Sequence, residues 1–172
     1  MKLWIISAVC FPIAAVMAQT EEDSGLLFRA NETSLDAFGT ISVGQKTIDQ
    51  LTGNRIQDDG ELGAGVGLNH FFTRYLGLGV DAYSENTDGV FIDNSSANVI
   101  LRIPIEDLHL APYVYGGGGY QFEPGELAFG QVGAGLELRF NQQLGLFADA
   151  RYVMTDGTEN FGMGRVGLRF AF

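Results

Sequence analysis

The sequence predicts an all-β fold, an eight-stranded antiparallel up-and-down barrel that crosses a membrane. Three observations carry the prediction. First, eight runs of 9 to 13 residues alternate apolar with small or charged side chains, the period of a strand whose successive residues leave opposite faces. Second, the connections between runs alternate short and long. Third, Asn160–Phe172 carries Val166, Leu168, Phe170 and Phe172 on one face and Arg165 and Arg169 on the other. No apolar run after the first eighteen residues is long enough for a membrane helix, so a spanning chain must satisfy its backbone in a closed barrel.

Residues 1–18 read as a secretory signal peptide. Lys2 is its positive start, Leu3–Val9 opens an apolar stretch that reaches Met17, and Val16 and Ala18 fit a cut after Ala18. The one cysteine, Cys10, lies in this segment, and no small residue sits immediately before it as a lipoprotein box requires. Cleavage would therefore leave no disulfide or thiol nucleophile. It would also remove Lys2 alone among the charges, taking the net charge from −11 to −12. So acidic a balance argues against nucleic acid, whose phosphates need a positive surface. Residues 19–33 are acidic and aperiodic and read as a flexible N-terminal segment preceding a barrel domain over 34–172.

The predicted strands are Leu35–Val43, Glu61–Phe71, Leu76–Ser84, Ser95–Ile103, Leu110–Gln121, Ala128–Phe140, Leu144–Met154 and Asn160–Phe172. Most match the roughly 9 to 11 residues that a tilted strand needs to span lipid. Leu62, Ala64, Val66 and Leu68 alternate with Gly63, Gly65, Gly67 and Asn69. Val132, Ala134, Leu136, Leu138 and Phe140 alternate with Gln131, Gly133, Gly135, Glu137 and Arg139. Phe72–Tyr75, Pro104–His109 and Asn141–Gln143 are tight turns, whereas Gly44–Gly60, Glu85–Asp93, Phe122–Leu127 and Thr155–Glu159 are on average longer and more acidic. Tight periplasmic turns and longer external loops are the habit of outer-membrane barrels.

Alternation alone does not decide which face is wet, since a soluble ligand-binding barrel alternates too. The second residue set decides it. Glycine is interspersed there with Asp81, Arg102, Glu137, Arg139, Asp149, Arg151, Arg165 and Arg169. Glycine weakens an exposed strand, but a narrow lumen wants small residues beside paired charges. The charged set is therefore predicted to line the lumen and the leucines to face lipid. Two aromatic belts are expected: Phe71, Phe72, Tyr75, Phe140, Phe170 and Phe172 at the short turns, and Tyr83, Phe91, Phe122, Phe129, Tyr152 and Phe161 at the other end.

These residues resemble the small eight-stranded outer-membrane barrels of OmpA/OmpX-like type, over about Leu35 to Phe172. LGLFADARYVM (Leu144–Met154) and GMGRVGLRFAF (Gly162–Phe172) carry the resemblance most specifically. It implies a bacterial outer-membrane location, lipid and lipopolysaccharide as surroundings, and a monomer. It also implies periplasmic chaperones and the barrel-assembly machinery as partners in biogenesis, with Phe170 and Phe172 as the assembly signal. Deacylases among such barrels show a His-x-Ser arrangement. Here His70 precedes Phe71-Phe72 and His109 precedes Leu110-Ala111, so no enzyme is expected.

Other motifs have plainer readings. Tyr115-Gly-Gly-Gly-Gly-Tyr120 lacks the lysine and helix of a phosphate loop and reads as a coiled strand. Pro112 in the same run removes a ladder donor, and a bulge is expected there. Neither histidine has a neighbouring ligand, so no metal or cofactor is expected. Asp49, Asp58, Asp59, Glu61, Glu85, Asp88 and Asp93 crowd the long loops without the spacing of a calcium-binding hand. The expected role is structural, envelope-stabilising or adhesive, with a filled lumen. A narrow solute channel and a soluble periplasmic binding barrel are the alternatives.

Overall fold

Strands with one apolar face cannot stand alone; each buries its backbone by pairing with two neighbours, and a closed ring leaves no edge. The computed structural model describes residues 25–43, 46–48, 55–57, 61–84, 92, 94–122, 126–155 and 160–172. Its strands are β1 (Glu32–Val43), β2 (Lys46–Ile48), β3 (Arg55–Gln57), β4 (Glu61–Phe71) and β5 (Leu76–Ser84), then β6 (Asn94–Arg102), β7 (Leu110–Gln121), β8 (Leu127–Arg139), β9 (Leu144–Thr155) and β10 (Phe161–Ala171). All but β2 and β3 form one closed antiparallel barrel, in which each strand pairs with its chain neighbours and β1 joins β10. β2 and β3 make a small hairpin within the connection predicted as a loop.

β4, β5 and β7 have the predicted bounds. β1 starts three residues earlier than its apolar alternation does. Glu32, Thr33 and Ser34 pair with Phe71, His70 and Asn69 of β4, and Thr33 exchanges backbone hydrogen bonds of 3.2 and 2.9 Å with Phe172. Ring closure, not local pattern, extends that strand. Pro112 causes no bulge, contrary to the sequence expectation. The register with β8 runs through it without an insertion, and that with β6 stops one residue short, at Tyr113. Its carbonyl accepts from Ile103 N at 2.8 Å, so its nitrogen faces the same side, where β6 has already ended.

The facing is as predicted. Leu136 and Leu168 are 54% and 43% exposed, whereas Glu137 and Arg139 are fully buried. The aromatic belts need correction. Phe72, Tyr75, Phe140, Phe170 and Phe172 do point outward at the short turns, as do Phe122 and Tyr152 at the other end. Phe71, Tyr83, Phe129 and Phe161 are instead buried inside, because their strand parity is that of the lumen set. Phe91 lies outside the described residues. Lumen glycines make room for these rings. A Cβ on Gly133 would meet the Tyr115 ring, and one on Gly135 would meet Tyr113 and Asp149.

Side chains cap the tight turns. Thr73 Oγ1 accepts from Leu76 N at 2.9 Å, and Asn141 Oδ1 accepts from Gln143 N and Leu144 N, both at 2.8 Å. The turn between β6 and β7 holds a 3-10 turn over Glu106–Leu108, closed by His109 in the left-handed region at φ 57°.

Candidate functional site

The site is the lumen, and strand parity assembles it. All eight charged residues predicted for it face inward. They form two tiers, and the structure adds two carboxylates, Glu32 and Asp36.

The tier beside the short turns is made of ion pairs. Glu32 Oε1 accepts from Arg102 Nη1 at 2.9 Å and from Arg139 Nη2 at 2.7 Å. Arg139 Nε donates to Glu137 Oε1, whose other oxygen takes Arg169 Nη1 at 2.5 Å. Arg169 grips Asp36 with two parallel bonds, Nε to Oδ1 at 2.8 Å and Nη2 to Oδ2 at 2.6 Å, the fork geometry that makes arginine–carboxylate pairs strong. Asn69 Nδ2 completes Asp36 at 2.9 Å.

The mid-barrel tier leans on neutral donors. Asp149 accepts four hydrogen bonds: Arg165 Nε at 2.9 Å and Nη2 at 2.8 Å, Tyr113 OH at 2.7 Å and Tyr115 OH at 2.9 Å. Arg165 Nη1 also reaches Asp81 Oδ2 at 2.9 Å, and Ser96 Oγ donates to Asp81 Oδ1 at 2.6 Å. Arg151 is less well served. Its Nη1 donates to Gln131 Oε1 at 2.7 Å and lies 3.5 Å from Asp81 Oδ1, while its buried Nε and Nη2 have no hydrogen-bond partner among the described residues and its guanidinium lies 4.9 Å from the Tyr83 ring centroid.

Arg102, Arg139, Arg151, Arg165 and Arg169 thus meet Glu32, Asp36, Asp81, Glu137 and Asp149, five against five. Buried charges are tolerated only when so paired. Between the tiers a space of ≈ 20 Å³ remains, lined by residues such as Asp36, Asn69, Asp81, Tyr113 and Arg169, about the room for one water. Rings fill the lumen beyond: Phe38, Tyr83, Phe129, Phe147 and Phe161 cluster with Val153 and Met163, reaching from the level of Glu137, beside Phe147, toward the long loops.

Sequence reasoning missed Glu32 because it lies in the segment read as flexible. From Leu27 onward that segment is instead packed against the barrel, with Phe28 fully buried. Asp36 lay inside the predicted first strand, and a count of five lumen arginines against three carboxylates was the signal that two acids were owed. Asp49, Asp58, Asp59, Glu85, Asp88 and Asp93 lie outside the described residues, as does the cut after Ala18. Glu61 begins β4. Phe170 and Phe172 are exposed on the outer wall. Among the described residues, no three His, Cys, Asp or Glu side chains are grouped to hold a metal.

No family model and no curated protein matches the chain. Solved structures do. The N-terminal β-barrel domain of OprF from Pseudomonas aeruginosa aligns at TM-score 0.62 and 18% identity, over 84% of this chain and 99% of that one. The fold is that of the small eight-stranded outer-membrane barrels. OprG, also from Pseudomonas aeruginosa, aligns at TM-score 0.57 and 11% identity, over 84% of this chain and 97% of its own. Ail, the attachment invasion locus protein of Yersinia pestis, aligns at 0.54 and 15%, over 83% and 99%. At these identities the likeness is one of fold.

Proposed function

We propose that this protein is a monomeric, non-enzymatic barrel of the bacterial outer membrane. Its lumen is closed, its wall sits among lipid and lipopolysaccharide, and its work is to stabilise the envelope or present its acidic loops to surfaces outside. Short turns, the start of β1 and the end of β10 face the periplasm, where chaperones and the barrel-assembly machinery would receive the chain, reading Phe170 and Phe172. The observation that carries the closed-lumen reading is the complete pairing of the tier between Glu32 and Arg169, with room for about one water above it. The leucine-faced wall, and the likeness in fold to OprG, an outer membrane protein, support the location.

Two measurements test this reading. The purified protein should require detergent and run faster on gels unboiled than boiled, and it should show no stable single-channel conductance in planar bilayers. A steady conductance that falls when Arg151 or Arg165 is neutralised would replace the closed barrel with a narrow solute channel.

A further inference from the structure

The chain ahead of β1 closes one end of the barrel. Asn31 adopts a left-handed backbone at φ 53°, which turns the preceding residues across the short-turn mouth. Phe28 is fully buried there, with the guanidinium carbons of Arg102 and Arg139 each 5.3 Å from its ring centroid. The same two arginines hold Glu32. The ring therefore lies against the most deeply buried ion pairs of the lumen.

Hydrogen bonds from the rim hold the backbone of this strap, in addition to Arg29 N donating to Glu32 Oε2 at 3.4 Å. Arg102 Nη2 donates to Arg29 O at 3.1 Å, Arg74 Nε donates to Phe28 O at 3.0 Å, and Leu27 N donates to Glu106 Oε2 at 2.9 Å. Arg74 Nη2 meets the other Glu106 oxygen at 2.5 Å. This ion pair joins the β4–β5 and β6–β7 turns and clasps the strap between them, with side chains 20% and 26% exposed. This pair is partly open to solvent and so partly screened, and segments held at the rim open locally before the paired strands around them do.

We propose that residues 27–31 are a plug that opens and closes the short-turn mouth, with Phe28 as the stopper and Arg74–Glu106 as its clasp. The plug admits water and small solutes to the Glu32–Arg102–Arg139 cluster when it lifts. This rests on the closed-lumen reading above.

The test uses a thiol inside the mouth. Ser34 is fully buried in the lumen wall beside Asp36 and Asn69. Ser34→Cys, placed in a chain with Cys10→Ser, gives a single cysteine. Its modification by a small charged methanethiosulfonate is followed in folded protein, with the unboiled gel shift as the check on folding. Labelling should be slow in this parent, rise by roughly tenfold or more with Phe28→Ala as the ring's burial is lost, and rise by less with Glu106→Gln or Arg74→Met. Equal rates in the parent and all three variants, with the gel shift kept, overturn the plug while leaving the closed lumen intact. Fast labelling of the parent overturns the closed lumen itself. Where Phe28→Ala fails to fold, Glu106→Gln and Arg74→Met decide, and parent-like rates in both overturn the plug.

Discussion

The two tiers of the lumen hold the same kinds of residue and do different jobs. Pairs in the tier beside the short turns span long stretches of chain: Arg169 and Asp36 are 133 residues apart, Arg139 and Glu32 are 107, and Arg102 and Glu32 are 70. They tie the first strand to the later ones and so brace the join that makes the ring. The mid-barrel tier includes nearer partners, with Arg165 and Asp149 separated by 16 and Arg151 and Gln131 by 20. Here tyrosine hydroxyls and amides share the pairing, and Nε and Nη2 of Arg151 find no acceptor among the described residues. The pairs to Glu32 and Asp36 brace closure, while the middle, which also holds a long pair between Arg165 and Asp81, shares its pairing with neutral groups.

The comparison breaks most sharply at Arg169. Arg169→Met removes both bonds of the Asp36 fork and leaves a buried carboxylate with Asn69 as its remaining side-chain partner among those seen. The expected loss is about 3–5 kcal/mol, read as a lower urea midpoint for unfolding from lipid vesicles. Asp149→Asn should cost less, about 2 kcal/mol, because Arg165 keeps Asp81. If the mid-barrel change proved the costlier, the tiers would have to exchange roles. Removing both members of the fork, Asp36→Leu with Arg169→Leu, should recover about 1–2 kcal/mol relative to Arg169→Leu alone, since no lone charge remains. Arg151→Met should fall within about 1 kcal/mol of the parent, and a large loss there would mean its unpaired groups are served by something bound.

Most of the barrel was legible because its code is local. A one-residue slip would turn Leu136 inward and Glu137 onto the outer wall, so the alternation of Gln131–Phe140 already specifies both faces. Glycine interleaved with arginine then told lumen from water. The same parity rule, applied residue by residue, would have moved Phe71 and Tyr83 from the belts to the interior. The cost of Pro112 was misjudged because it depends on where β6 ends, a property of another strand.

Strand number, facing and the placing of arginine inside are thus properties of the sequence alone, since a side chain's face follows from its place in a period of two. Which carboxylate each arginine grips, and that Phe28 stops one mouth, were decided only by the closed structure. Those contacts join residues brought together by the stagger of the whole ring and by a fold-back at Asn31. No window of neighbouring residues contains either.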